Sequence, residues 1–236
     1  MDEVTKIYVF YLTILLIIIK CSLVVFLSKK VVDKKRNKIE AGVKFLTATA
    51  VLMAGLFVSR IIFTIFDFQL TDFNPARFPE HVFLWKIAFL VATITLVYMI
   101  WILDKVVIEN KLKGIPAIIL IILAIFIFVY PVNTVVDFQI LSAICAVANL
   151  VSILIPGVFI YVGKNSSGDI RKNAYFISLG MLVYALSMLL VNEALISAVN
   201  AAFGFDSSIL FWIISMTGKC IGLTIFTHYA TKFVSD

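Results

Sequence analysis

Charge is what this chain has least of. Asp, Glu, Lys and Arg make up 14% of its 236 residues, where a soluble domain carries about a quarter. That shortage excludes an ordinary water-facing surface. Cysteine is also scarce. Cys21, Cys145 and Cys220 all fall in apolar runs, which argues against a disulfide framework or a cysteine metal cluster and leaves the redox compartment undefined. His81 and His228 fall at opposite ends of the predicted spans, so they share no metal. There is no glycine-rich phosphate loop, no HExxH, no Ser/His/Asp set and no carboxylate pair at one depth. The expectation is a protein that is not an enzyme, with no cofactor and no metal.

What is present is apolar sequence: 62% hydrophobic residues and a mean hydropathy of +1.09. Runs of about twenty such residues predict membrane-crossing helices. The predicted fold class is all-α, a polytopic integral membrane protein forming a single transmembrane domain over 1–236. Seven spans are expected: Ile7–Ser28, Ala41–Asp67, Val82–Asp104, Ile115–Tyr130, Gln139–Val162, Ala174–Val199 and Ser208–Ala230. The fourth is the shortest and is bounded by Pro116 and Pro131. The first is read as retained rather than as a signal peptide. Asp2 and Glu3 outnumber Lys6 before it, and no small-x-small cleavage site follows.

The cations are not scattered. Lys29, Lys30, Lys34, Lys35, Arg36 and Lys38 fill the first connection; Lys105, Lys111 and Lys113, then Lys164, Arg171 and Lys172, fill the third and fifth, and Lys232 lies in the tail. The other side offers little beyond Lys6 and Arg77. The positive-inside rule then predicts an outside N-terminus and a cytoplasmic C-terminus. The formal charge of +6 is read as topology and attraction to anionic headgroups, not as nucleic-acid binding. The expected partners are the lipid bilayer and a partner protein at the basic inner loops. The outer segment Gln69–His81 is read as a plain connector rather than a lid over the outer mouth.

Two halves look alike. Asp33-Lys-Lys-Arg-Asn37 and Asp169-Ile-Arg-Lys-Asn173 share one pattern, as do Leu84-Trp85 with Phe211-Trp212, and Lys105-Val106-Val107 with Lys232-Phe233-Val234. These matches suggest two parallel three-helix repeats joined by the fourth span as a linker helix. The arrangement is similar to that of the SWEET sugar transporters, in topology only. The first span has no proline, and Pro156 is followed by Gly157 where PQ-loop relatives have Pro-Gln.

A charge inside the bilayer costs a few kcal/mol on insertion scales, so each needs a reason. The spans hold Lys20, Arg60, Lys86 and Lys219 against one clear acid, Glu193, with Asp67 at a boundary. Lys86 is close enough to the outer interface to snorkel. Arg60 and Glu193 lie at similar depth and are expected to form a structural ion pair. Lys219 sits near the middle of the last span, on a stripe with Trp212, Ser215 and Gly222, while Gly218 and Gly222 form GxxxG for close helix approach. Ser142, Asn149, Ser152 and Pro156 make a second polar stripe. Lys219, Ser215, Trp212, Asn149 and Ser152 are therefore the candidate ligand-binding residues of a midplane cavity. The excess of cations favours an anionic ligand.

Ile209-Leu210-Phe211 followed by Ser215-x-x-x-Lys219 resembles the seventh helix of microbial rhodopsins, over about twenty residues. The resemblance implies retinal on Lys219 as a Schiff base. Departures stand against it: span three reads Trp85-Lys86-Ile87 with no Arg-aromatic-x-acid run, no mid-span acid serves as counter-ion, and span six has no Trp. The leading expectation is a receptor-like or sensory membrane subunit binding a small anionic or amphiphilic molecule. The alternative is a small 3+1+3 secondary transporter using the same site, and the retinal protein is a third reading.

Overall fold

The computed structural model describes residues 3–36, 40–191, 196, 199–202, 204 and 208–234, and among them there is helix and turn but no strand. An apolar solvent leaves backbone N–H and C=O groups no outside partner, and a helix satisfies them within one segment. The helices are α1 (Glu3–Arg36), α2 (Glu40–Thr64), α3 (Phe78–Ile102), α4 (Ile115–Val129), α5 (Val135–Leu150), α6 (Leu154–Asn165), α7 (Gly168–Leu189) and α8 (Ser208–Phe233).

Among the described residues six stretches are long and apolar enough to cross a membrane: Glu3–Arg36, Gly42–Leu70, Pro75–Val107, Val135–Asn165, Gly168–Leu189 and Ile209–Phe233. The fourth predicted span is the exception. At 15 residues, α4 is about 22 Å long at 1.5 Å per residue, short of a hydrocarbon core of about 30 Å. It runs back along α3 from the turn after that helix to the level of Lys86. It starts at the turn below α3, and its last carbonyls, Phe128 and Tyr130, accept hydrogen bonds from Lys86 near the start of α3 at 3.2 and 2.6 Å.

Local chemistry sets the helix ends. The first span ends at Ser28 by hydropathy, yet α1 runs on through the basic residues to Arg36. Cations at a helix C-terminus complement its dipole. Thr134 and Asp137 start α5 with a reciprocal capping box. Between α5 and α6 the helix tightens into a 3-10 turn, Val151–Ile153, because Pro156 has no N–H for the carbonyl of Ser152. The α3–α4 turn is organised by Asp104. Its buried carboxylate accepts from Leu112 N at 2.8 Å and Gly114 N at 2.7 Å. It thereby holds Glu109, Asn110 and Lys113 in left-handed conformations that L-residues rarely adopt.

The helices pack in chain order, α1 on α2, α2 on α3, α3 on α4, α6 on α7 and α7 on α8, and α1 closes against α8. One apolar core joins α1, α2, α6, α7 and α8 through Leu27, Phe45, Met53, Phe159, Ile177 and Phe226. Large apolar side chains such as Ile122, Val129 and Leu186 point outward, as lipid contact requires. The α7–α8 seam is the tightest. A Cβ on Gly222 would lie 2.6 Å from the Gly180 carbonyl oxygen, and one on Gly180 2.7 Å from Phe226 N. Lys34 and Val234 O, Phe45 and Phe233, and Lys111 and Tyr161 meet at the cation-rich end. Lys6 and Asp72 meet at the other.

The seam yields a contrast. Gly222→Ala drives a methyl into α7 backbone and is expected to cost about 1–3 kcal/mol. Gly157→Ala enters open space and gains up to about 1 kcal/mol of helix propensity. Thermal unfolding of the two variants in one detergent checks the difference.

Candidate functional site

The functional candidate is a group of three cations buried where α1, α2 and α8 meet. Lys20 and Lys219 are each 4% exposed, and the Arg60 side chain 12%. The α1 face that carries Lys20 is Thr5, Val9, Thr13 and Leu16, all buried, at the three- and four-residue spacings of one helix stripe. Lys20 Nζ donates to the Leu56 carbonyl of α2 at 3.0 Å. In return Arg60 Nη2 of α2 donates to Thr13 Oγ1 of α1 at 2.9 Å. Arg60 Nη1 lies 3.8 Å from Asp67 Oδ2, and its Nε is buried with no hydrogen-bond partner among the described residues.

A π-helical turn, Ile65–Leu70, follows α2 directly. Such a turn widens the helix, and here it carries Asp67, which faces back to Arg60. Past it, Asp72 and Phe73 take left-handed conformations at φ 51 and 55°. Asp72 binds Lys6 of α1 at 2.6 Å. The Phe73 ring packs edge-on against Phe68 and against Trp212 of α8. The segment read from sequence as a plain connector is therefore strapped to both α1 and α8.

Lys219 stands apart from the other two cations. Among the described residues it forms no hydrogen bond or ion pair, while Arg60 and Lys20 act on it as like charges and Asp67 as the opposite one. The other candidates have partners of their own. Ser215 is fully buried and donates to the Ser187 carbonyl of α7 at 2.6 Å. Trp212 is half-buried against Phe73. Asn149 is half-buried on α5, its carbonyl accepts from Ser152 Oγ at 2.6 Å, and no hydrogen bond joins either residue to Lys219 among the described residues. Glu193, the expected partner of Arg60, lies outside the described residues, so that ion pair does too. Lys86, read as snorkelling, is 7% exposed and closes the end of α4 instead.

Sequence reading passed over Thr13, the Leu56 carbonyl and Asp104. Thr13 had a signal, a hydroxyl recurring in the register of Lys20; a backbone carbonyl has none. Chemically, the group offers an ammonium without an oxygen partner among the described residues, beside a second ammonium and a guanidinium. It suits an anion. Among the described residues no set of His, Cys, Asp and Glu could hold a metal ion. No family model, curated protein or solved structure matches the chain.

Two substitutions probe the α1–α2 tie. Thr13→Val is expected to cost about 1–3 kcal/mol by stranding a guanidinium N–H, and Asp67→Asn about 3 kcal/mol or more by unpairing a buried cation. Combining Asp67→Asn with Arg60→Met should cost less than the sum, by about 0.5–3 kcal/mol. Unfolding measurements on the four proteins of that cycle decide it.

Proposed function

We propose that the chain is a receptor-like or sensory membrane subunit that binds a small anionic or amphiphilic molecule against Lys219. The observation that carries this reading is the buried group of Lys20, Arg60 and Lys219, with Asp67 as the acid acting on it among the described residues. Taking a charge out of water costs several kcal/mol unless a counter-charge repays it. A carboxylate or phosphate entering between α1, α2 and α8 would do so.

Seven crossings, with the N-terminus outside and the C-terminus cytoplasmic, complete the proposal. The return of α4 along α3 as far as Lys86 supports a seventh passage in spite of its length, with Pro131–Thr134 extending it. The gathering of Lys34, Lys111 and Lys232 at one end supports the orientation. Those cations would meet anionic headgroups and a partner protein.

A transporter is the second reading. It is favoured by the order of packing, in which α1–α2–α3 and α6–α7–α8 are each chains of sequential neighbours, with α4 between the first triplet and the Val135–Asn165 stretch that α6 completes. Such a carrier would open the Lys219 site to both sides in turn, so cysteines beside Lys219 would be labelled from either face in a ligand-dependent way. Retinal fits the surroundings poorly. Lys20 and Arg60 would destabilise a protonated Schiff base on Lys219, and Asp67 already faces Arg60.

The test is thermal stability of the detergent-purified protein with a long-chain carboxylate and with the alcohol of the same chain. At a hundred times its dissociation constant the carboxylate adds about 2.7 kcal/mol. Lys219→Met should abolish that gain, and Lys219→Arg should retain part of it. An equal gain from the alcohol, or a gain that survives Lys219→Met, overturns the reading.

A further inference from the structure

A second feature of the molecule is a pair of adjoining open chambers at the cation-rich end. The larger chamber, about 650 Å³, lies between the α3–α4 turn and the α5–α6 rod and is lined by Ile108, Leu112, Leu150, Ile153, Leu154 and Val158, with Gly157 in its wall. The smaller, about 220 Å³, shares Ile108, Lys111 and Tyr161 with the first and adds Glu109, Asn165 and Ser166. The larger chamber is almost wholly apolar, the smaller is mixed and holds the polar groups, and Lys111 and Tyr161 line both.

Three observations give this site its shape and its fixed cation. Gly157 opens it, since a Cβ there would meet nothing within 4 Å. Any large side chain in its place would fill the apolar chamber. The 3-10 turn ahead of Pro156 places Ile153 in the same wall. Lys111 is fixed, not free. Its ammonium donates to the Tyr161 hydroxyl and lies 4.6 Å over the Tyr161 ring, and the turn that carries it is pinned by Asp104. The Tyr161 hydroxyl also raises the Lys111 ammonium above its ordinary titration range.

We propose that these chambers bind an anionic phospholipid, its acyl chain in the larger and its phosphate on Lys111 at the smaller. The volume lies in the range of small-molecule sites, about 300–1,000 Å³, and its pairing of apolar walls with a few placed polar groups is what such sites share. Charge decides the class of lipid. Glu109 is the acid lining the smaller chamber, and Lys105, Lys113 and Lys164 stand within two residues of its lining in the sequence. Each cation near a membrane surface is worth about 1 kcal/mol toward anionic lipid. The site is separate from the Lys219 group and does not depend on what binds there.

Native mass spectrometry of the full chain, titrated with phosphatidylglycerol or phosphatidylcholine, tests the proposal. Phosphatidylglycerol is expected to bind about tenfold more tightly than phosphatidylcholine. Gly157→Phe should weaken it by about tenfold or more by filling the chamber, and Lys111→Ala by about fivefold. Glu109→Gln should strengthen it, an outcome that a misfolded variant would not give. Lys219→Met should leave it unchanged, which separates this site from the one proposed above. Equal binding of the two lipids, or full phosphatidylglycerol binding by Gly157→Phe, overturns the proposal.

Discussion

Everything in the α1–α2 half of the bundle depends on one requirement: a cation buried among apolar helices must be given an oxygen by a neighbour. Lys20 takes the Leu56 carbonyl, and Arg60 takes the Thr13 hydroxyl. The two contacts run in opposite directions between the same pair of helices. In an antiparallel pair the later residue on α2 meets the earlier one on α1, and Arg60 with Thr13 and Leu56 with Lys20 obey that order. Together they fix the register, because sliding either helix by a turn would strand both charges at several kcal/mol each. Lys86 does the same between α3 and α4, taking the carbonyls of Phe128 and Tyr130. The short α4 gains a defined end from it.

With α1 and α2 locked, α8 completes the site by a different kind of contact. Gly180 and Gly222 allow α7 and α8 to approach until backbone meets backbone, and Ser215 bonds across the seam to Ser187. That face of α8 is closed by packing, and Lys219 is held among the charges of α1 and α2. The strap over the opposite end from the basic loops is built from weaker parts. The Lys6–Asp72 pair is 24% and 59% exposed at its two side chains, and exposed pairs contribute about 0–1 kcal/mol. Rigid walls and a lightly held strap are properties of one site, set by where its ties are buried.

How much of this was legible in the sequence follows from the physics of each feature. The crossing helices were readable because lipid demands about twenty apolar residues in a row, and the burial of Lys219 because small residues beside it invite a neighbouring helix. Helix ends were less readable. Hydropathy stops at Ser28, but hydrogen bonding continues to Arg36, since a helix C-terminus welcomes cations that a lipid core does not. The π turn that carries Asp67 toward Arg60 leaves no periodic trace. Ser215 shares a stripe with Lys219, yet its hydroxyl belongs to the α7 seam. A stripe says which side of a helix faces inward, and not which neighbour it meets there.

The sign of the interior is the last step. Among the described residues two acids are set into the helical framework, Asp67 beside Arg60 and Asp104 at the α3–α4 turn, and each is committed. Asp104 holds two backbone N–H groups of the α3–α4 turn, and Asp67 faces Arg60. Neither is placed to neutralise Lys219 by direct contact, and a carbonyl such as that of Leu56 solvates an ammonium without cancelling its charge. Hydrogen bonds from neutral oxygens therefore settle the geometry of the cations while leaving their field in place. In a medium of low dielectric that field is weakly screened. Among the described residues the interior at α1, α2 and α8 therefore keeps an excess of positive charge, which Asp67 opposes from beside Arg60.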